Sequence, residues 1–153
     1  MAAKLLEKIG LEWPIFQAPM AGTSTPAMAA AVSNAGALGA IGVAAESTEG
    51  AGKMSRATQS LTSRGFNLNV FCHRRDIPNS AVEAAWIARW KPEFTVLGAE
   101  PPTALREIYQ TFRGNKPMTE MLLATRPAIV SFHFGLPEKD QIKALKEAGI
   151  ILF

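Results

Sequence analysis

Short apolar runs alternate with segments of helical periodicity along the whole chain. The runs have four to seven residues each, which is typical of strands buried in a parallel sheet; they cover residues 15–18, 38–43, 66–71, 94–97, 128–134 and 150–153. The segments between them carry helix caps or apolar residues at helical spacing; they cover residues 27–35, 53–64, 80–90, 103–112, 119–125 and 138–147. This alternation predicts one α/β unit with a parallel sheet.

The number of units leaves two architectures open. About five and a half βα units are visible in the 153 residues, whereas a complete eight-unit barrel takes roughly 250 residues. The pattern therefore predicts either an open doubly wound sheet or an incomplete barrel of the TIM type.

Residues 14–42 contain no charged side chain, so both a membrane span and a buried βαβ unit have to be considered. Pro19, Pro26 and a polar cluster interrupt the stretch within twelve residues, whereas a span needs roughly 20 mainly apolar residues in one helix. Thr25 is a good N-cap, and proline fits the first helical position after it. The buried unit is therefore favoured, and it places the loop of residues 20–25 at the carboxyl end of a strand, where parallel α/β folds bind ligands.

The composition is that of an ordinary globular protein, with 48% hydrophobic and 19% charged residues. The net charge of +3 comes from scattered basic residues, which argues against a nucleic-acid surface. A single cysteine fits a reducing compartment, and the N-terminus lacks the long apolar core of a signal peptide. These features predict a cytoplasmic location.

Two polar residues are placed at strand ends by the alternation of side chains. His133 shares a strand face with Ser131, whereas Phe132 and Phe134 point the other way and are expected to pack on helices. A histidine facing a barrel interior can act as a base near neutral pH, but it can also be a core histidine bonded to a carbonyl. Asn69 ends another strand, where its amide can bind a planar heterocycle or close a turn.

Other candidates have weaker support from the pattern. Cys72 has no activating partner and is expected to be an inert buried thiol, and His73 is expected to be a solvated loop residue. Tyr109 lies on an apolar helical stripe, for which core packing is the default. The glycines between residues 36 and 42 lack the dinucleotide-binding spacing, and no cluster has metal-ligand spacing.

Three ordered motifs resemble one family. They are the opening Gln-Ala-Pro-Met-Ala-Gly with its continuation at residues 17–39, Asn-Leu-Asn-Val-Phe at residues 67–71 and Val-Ser-Phe-His-Phe-Gly-Leu-Pro at residues 130–137. Together they resemble the nitronate monooxygenases, formerly called 2-nitropropane dioxygenases. Flavin-dependent quinone reductases and enoyl-acyl-carrier-protein reductases have similar openings, but the Ser-Phe-His-Phe-Gly segment favours nitronate oxidation.

The resemblance implies an FMN-dependent TIM barrel that oxidises alkyl nitronates with oxygen to a carbonyl compound and nitrite. It implies that Asn69 hydrogen-bonds FMN, and that His133 faces the substrate as a base or as a hydrogen-bond partner. Tyr109 is expected to line the substrate pocket. The loop expected against the flavin consists of Ala18, Pro19, Met20, Ala21 and Gly22.

The family's barrel is longer than this chain, so residues 1–153 are expected to be the N-terminal part of a single FMN-binding barrel. The phosphate-binding loops after strands seven and eight have no equivalent here. A truncated product, a piece of a longer polypeptide and a chain that associates through open sheet edges all fit. The alternatives in function are an NAD(P)H-dependent quinone or enoyl reductase of the same fold, and a barrel fragment without catalytic activity.

Overall fold

Four parallel strands lie side by side in the order in which they occur along the chain, β1-β2-β3-β4. The computed structural model describes residues 2–75 and 77–153, with side chains described from residue 6 onward. The elements are α1 (Ala2–Ile9), α2 (Pro26–Asn34), β1 (Gly39–Gly42), α3 (Thr48–Leu61), β2 (Phe66–Phe71), α4 (Ser80–Val96), α5 (Lys116–Thr125), β3 (Ile129–His133), α6 (Lys139–Glu147) and β4 (Ile151–Leu152). The predicted strands at 38–43, 66–71, 128–134 and 150–153 are confirmed, while residues 15–18 contribute only a bridge between Phe16 and Leu38.

Four helices, α2, α3, α5 and α6, cover one face of this sheet. Alternation along each strand sends one set of apolar side chains into a single cluster with α2, α3, α5 and α6. The sheet supplies Ile41, Val43, Leu68, Val70 and Val130 to this cluster, and the helices supply Ala29, Ala51, Met121, Leu122 and Leu145. The strand residues that alternate with these apolar residues therefore face the opposite side of the sheet.

The opposite face carries a smaller apolar cluster and a polar group of side chains. Ile9, Leu38 and Ile129 pack together at the end where the strands begin. Strands in chain order with helices on one face form the arrangement of a TIM-type barrel, whereas doubly wound sheets reverse the strand order and carry helices on both faces. The fold is therefore the barrel type, of which the described residues form a part.

Helix starts follow the caps that the sequence contains. Thr25 accepts a hydrogen bond from the Met28 N–H at the start of α2, and Pro26 occupies the first helical position. Ser47 and Asn115 cap α3 and α5 in the same way.

Residues 75–108 form a separate unit that contains α4. Asn79 caps this helix by accepting a hydrogen bond from the Val82 N–H, and the rings of Trp86 and Trp90 lie 5.7 Å apart between centroids. None of the residues of α4 is buried.

Two predictions between β2 and β3 are wrong. The predicted strand at residues 94–97 belongs to the end of α4, which continues through Pro92; β2 pairs directly with β3 and leaves no place between them for another strand. The predicted helix at 103–112 is also absent. The Phe112 N–H donates to the Phe71 carbonyl at 2.7 Å and so extends the end of β2 instead of closing a helical turn.

Candidate functional site

Register brings four polar side chains of β2 and β3 together on the face away from the helices. Asn69 pairs with Ser131 and Phe71 pairs with His133 in the parallel ladder. As a result, Asn69 Nδ2 lies 2.7 Å from His133 Nδ1, 2.9 Å from the Ser131 hydroxyl oxygen and 3.1 Å from the Ser131 carbonyl oxygen, and these three atoms share its two hydrogens. Asn67 Nδ2 donates to the same hydroxyl at 2.8 Å. Asn69 and His133, which the alternation of side chains places at the ends of two strands, therefore lie together at one end of the sheet.

The polar group of Asn67, Asn69, Ser131 and His133 is partly buried and can accept further hydrogen bonds. Asn69 is 1% exposed, whereas His133 lies exposed at the end of β3. The Oδ1 atoms of Asn67 and Asn69 are buried and have no hydrogen-bond partner among the described residues. Because an unpaired buried oxygen is costly and uncommon, these two atoms are the places where the polar group can still accept a hydrogen bond.

Ser24 organises the loop after the first bridge. Its hydroxyl donates to the Ala18 carbonyl at 3.3 Å and accepts from the Met20 N–H at 2.9 Å. It also accepts from Gln17 Nε2 at 3.2 Å. Ser24 is 3% exposed, so one buried hydroxyl fixes the start of the 18–22 loop.

Gln17 and Gly42 hold this loop against the end of β1. The Gln17 side chain forms two hydrogen bonds with the backbone of Ala40, accepting at 3.2 Å and donating at 3.0 Å. A Cβ atom on Gly42 would lie 3.0 Å from the Ala21 nitrogen and 3.2 Å from the Pro19 oxygen. Sequence reasoning assigned no role to Gln17, Ser24 or Gly42, although a glutamine within an apolar run indicates a polar contact inside the fold.

The rings of Phe71 and Phe134 lie beside His133, and the prediction for Tyr109 is wrong. Phe71 lies 6.2 Å from the His133 ring, 5.1 Å from the Tyr109 ring and 4.7 Å from the Phe134 ring between centroids. Tyr109 is therefore not on a helical stripe but in an irregular segment beside Phe71. Phe132 packs on the core as predicted.

The prediction that Phe134 packs on helices is wrong. It is 70% exposed and has a φ of 65°. The reason is that β3 ends at His133, and the backbone turns sharply through Phe134 and Gly135, whose φ is 145°. A Cβ on Gly135 would lie 2.6 Å from the Cys72 oxygen, so the turn requires glycine.

The family follows from a comparison with known proteins. The family model described as Nitronate monooxygenase matches residues 2–153. The chain belongs to the nitronate monooxygenase family.

Individual nitronate monooxygenases are similar over nearly the whole chain. The chain is 52% identical over 148 residues to the Nitronate monooxygenase of Paraburkholderia phytofirmans, covering 97% of the chain and 40% of that protein. It is 47% identical over 150 residues to the Nitronate monooxygenase of Pseudomonas aeruginosa, covering 98% and 43%. The chain thus spans about two fifths of the length of the curated relatives it matches.

Solved structures support the same fold. Nitroalkane oxidase from Streptomyces ansochromogenes has a TM-score of 0.78 at 30% identity, covering 97% of this chain and 41% of that one. FabK from Thermotoga maritima has a TM-score of 0.65 at 22% identity, covering 97% and 35%. The second likeness concerns the fold alone.

Two further residues considered from the sequence, Cys72 and His73, lie outside the polar group. Cys72 is buried, and burial raises the pKa of its thiol to about 11 against a smaller lowering effect of Arg113. His73 is half-buried, and its carbonyl accepts a hydrogen bond from the Thr111 hydroxyl at 2.7 Å. Over the described ranges, no three ligand-type side chains are grouped to hold a metal ion, and no helix is long and apolar enough to cross a membrane.

Proposed function

We propose that the protein to which this chain contributes is an FMN-dependent nitronate monooxygenase that oxidises alkyl nitronates with oxygen to a carbonyl compound and nitrite. The observation that carries the proposal is the 2.7 Å contact between Asn69 and His133 at the ends of two adjacent strands, in a chain 52% identical to a Nitronate monooxygenase. Residues 1–153 supply the N-terminal part of a single FMN-binding barrel.

The residues present fit a flavin. The buried Asn69 Oδ1 lacks a hydrogen-bond donor among the described residues, and the flavin ring system offers an N–H group. The loop of Ala18, Pro19, Met20, Ala21 and Gly22 is held at the same end of the sheet by Ser24 and Gln17. Asn69 and this loop would hold the ring, and the bound flavin supplies the electron transfer between substrate and oxygen.

His133 provides the polar contact to the substrate. A nitronate carries its negative charge on two oxygens, and the exposed imidazole is the side chain of the polar group that can reach such a ligand. Charge-assisted hydrogen bonds of this kind are shorter and stronger than neutral ones. Tyr109 and Phe71 form an aromatic wall beside the histidine, so we assign Tyr109 to the substrate pocket.

The test uses the full-length protein that contains this chain. The purified protein should absorb near about 450 nm because the flavin must perform the redox chemistry, and it should release nitrite from an alkyl nitronate under air. His133→Asn should lower kcat/KM at least about 10-fold, since one charge-assisted hydrogen bond contributes about 1.5–3 kcal/mol. His73→Asn changes the other histidine of the chain and should keep the rate.

Three results would refute the proposal. A colourless protein without nitrite release would support a barrel fragment without catalytic activity. Rapid flavin bleaching by NADH under anaerobic conditions, without nitronate turnover, would support a quinone or enoyl reductase. An unchanged rate in His133→Asn would remove the histidine from the site.

A further inference from the structure

The amide of Asn69 can be oriented from its surroundings. Its Nδ2 atom lies within hydrogen-bond distance of the Ser131 carbonyl, the Ser131 hydroxyl and His133 Nδ1. The carbonyl oxygen can only accept a hydrogen bond, so the atom 3.1 Å from it must be the NH2 group and not Oδ1. The orientation of this amide is therefore fixed by the backbone of β3.

The amide orientation decides which nitrogen of His133 carries the proton. Nδ2 has no lone pair available to accept a hydrogen bond, so an N–H on His133 Nδ1 would face it at 2.7 Å without an acceptor, and Nδ1 must be the unprotonated nitrogen. A neutral imidazole has one donor and one acceptor nitrogen, and the partner of one nitrogen sets the state of the other. The neutral ring therefore carries its proton on Nε2.

We infer that Asn69 is a positioning residue that fixes the neutral His133 ring in the Nε2–H tautomer, so that the nitrogen away from Asn69 is a hydrogen-bond donor. The meaning for catalysis rests on the proposed function: a donor at Nε2 suits the anionic oxygens of a nitronate. In the neutral ring the lone pair of that nitrogen belongs to the aromatic system, so it cannot accept the α-proton of a nitroalkane.

The oxygen of the Asn69 amide supports the same positioning role. Asn69 Oδ1 is buried without a partner among the described residues, and an N–H donor on a ligand would hold the amide in the orientation that β3 already imposes. Rotating the amide would place Oδ1 against the Ser131 carbonyl oxygen, which two acceptors at 3.1 Å do not tolerate.

Nuclear magnetic resonance of the 153-residue chain tests the tautomer without any activity measurement. The chain has two histidines, so long-range proton–nitrogen correlation spectra of nitrogen-15-labelled protein contain two imidazole patterns, which His73→Gln assigns. The spectra are recorded over a pH series up to about 8.5, and the tautomer is read where the imidazole nitrogen shifts no longer change with pH. We expect the His133 pattern to show a protonated Nε2 and an unprotonated Nδ1.

Two matched variants exchange an amide for a carboxylate on the same strand. Asn69→Asp replaces the amide with a carboxylate, which turns away from the Ser131 carbonyl and takes His133 as its donor, so Nδ1 should become protonated. Asn67→Asp makes the same change two residues earlier, beside the same Ser131 hydroxyl, and should leave Nδ1 unprotonated. Asn69→Leu removes the donor without adding charge and should give a mixture of the two tautomers.

The outcomes separate this inference from the proposed function. Protonated Nδ1 in the unchanged chain, an unprotonated Nδ1 in Asn69→Asp, or the same switch in Asn67→Asp would each overturn the role of Asn69. None of these results depends on nitrite release. Conversely, a full-length protein without nitronate turnover would refute the proposed function while the tautomer result stands.

Discussion

The rings of Phe16 and Phe153 stack with their centroids 5.8 Å apart and their planes 16° apart. Phe16 lies beside β1, and Phe153 follows β4, so the two residues belong to opposite edges of the sheet. In a flat sheet, four spacings of about 4.8 Å would separate these edges by roughly 19 Å. The sheet is therefore curled around the face opposite α2, α3, α5 and α6, as in barrels, where side chains from alternate strands fill one interior layer.

The contact between these rings should be measurable as a coupling energy. We expect a double-mutant cycle of Phe16→Leu and Phe153→Leu to give about 0.5–1 kcal/mol, because an aromatic pair contributes about 0.5–1.5 kcal/mol beyond its buried area and both rings are about half exposed. Urea unfolding of the four proteins gives the four free energies of unfolding. A coupling energy near zero would mean that the rings of Phe16 and Phe153 are not in contact in solution.

The predictions from the sequence are confirmed where the local pattern of side chains agrees with the pairing of the strands. In β2 the alternation of Phe66, Leu68 and Val70 with two asparagines predicts both the strand and the polar face, and the structure confirms both. The same alternation in β3 predicts the direction of His133. Parallel register then brings the two polar faces together, because strand ends of a parallel sheet lie at one edge.

Sequence reasoning failed where no long-range pairing supports the local pattern. Residues 94–97 have the apolar run of a strand, but the direct pairing of β2 with β3 leaves no partner for them. A proline favours a helix end just before it, and the predicted helix stops at residue 90, yet α4 continues through Pro92 and loses one backbone hydrogen bond. The role of Ser24 could not be predicted, because three hydrogen-bond partners of one hydroxyl depend on loop geometry that has no periodic signal.

Gly39 should not tolerate a side chain. A Cβ atom there would lie 1.9 Å from the Ala29 carbonyl oxygen of α2, a backbone atom that cannot rotate away. We expect Gly39→Ala to lower the free energy of unfolding by at least about 3 kcal/mol, the upper end for overpacked cores. Thermal and urea unfolding measure the loss.

Gly50→Ala is the matched control for this substitution. The closest atom to the new Cβ would be the carboxylate end of the exposed Glu46 side chain, at 2.8 Å, which can move. Because Gly50 lies inside α3, alanine should stabilise the chain by about 0.5–1 kcal/mol. Equal effects of the two substitutions would show that β1 and α2 are not packed this closely.

The Gln141 side chain should contribute more to stability than the neighbouring ion pair. It is 5% exposed; its oxygen accepts from the Gly114 and Glu138 N–H groups at 3.1 Å, and its nitrogen donates to the Phe112 carbonyl at 2.9 Å. Gln141→Leu keeps the size but leaves these backbone groups without partners. We expect a loss of about 3 kcal/mol in urea unfolding, since each unsatisfied buried group costs about 1–3 kcal/mol.

Arg113→Gln provides the comparison for Gln141→Leu. It removes the ion pair with Glu138. The Arg113 Nη2 and Glu138 Oε1 atoms of this pair lie 2.9 Å apart, but the two side chains are 35% and 48% exposed. Exposed pairs contribute about 0–1 kcal/mol, so the loss should stay below about 1 kcal/mol. A larger loss for Arg113→Gln than for Gln141→Leu would contradict this ranking.

Cys72 should make stability depend on pH in the alkaline range. Burial raises the pKa of its thiol from 9.0 to about 11, so between these values the unfolded chain releases a proton that the folded chain keeps. The free energy of unfolding is therefore constant with respect to this group below about pH 9 and falls as the pH rises toward 11. Two pKa units correspond to a total loss of about 3 kcal/mol, of which about 1 kcal/mol is lost by pH 10.

Urea unfolding of the unchanged chain and of Cys72→Ala at pH 8 and pH 10 isolates this effect, because the other groups titrate in both proteins. The unchanged chain should lose about 1 kcal/mol more than Cys72→Ala, and equal losses would mean that the thiol is not buried in the folded state.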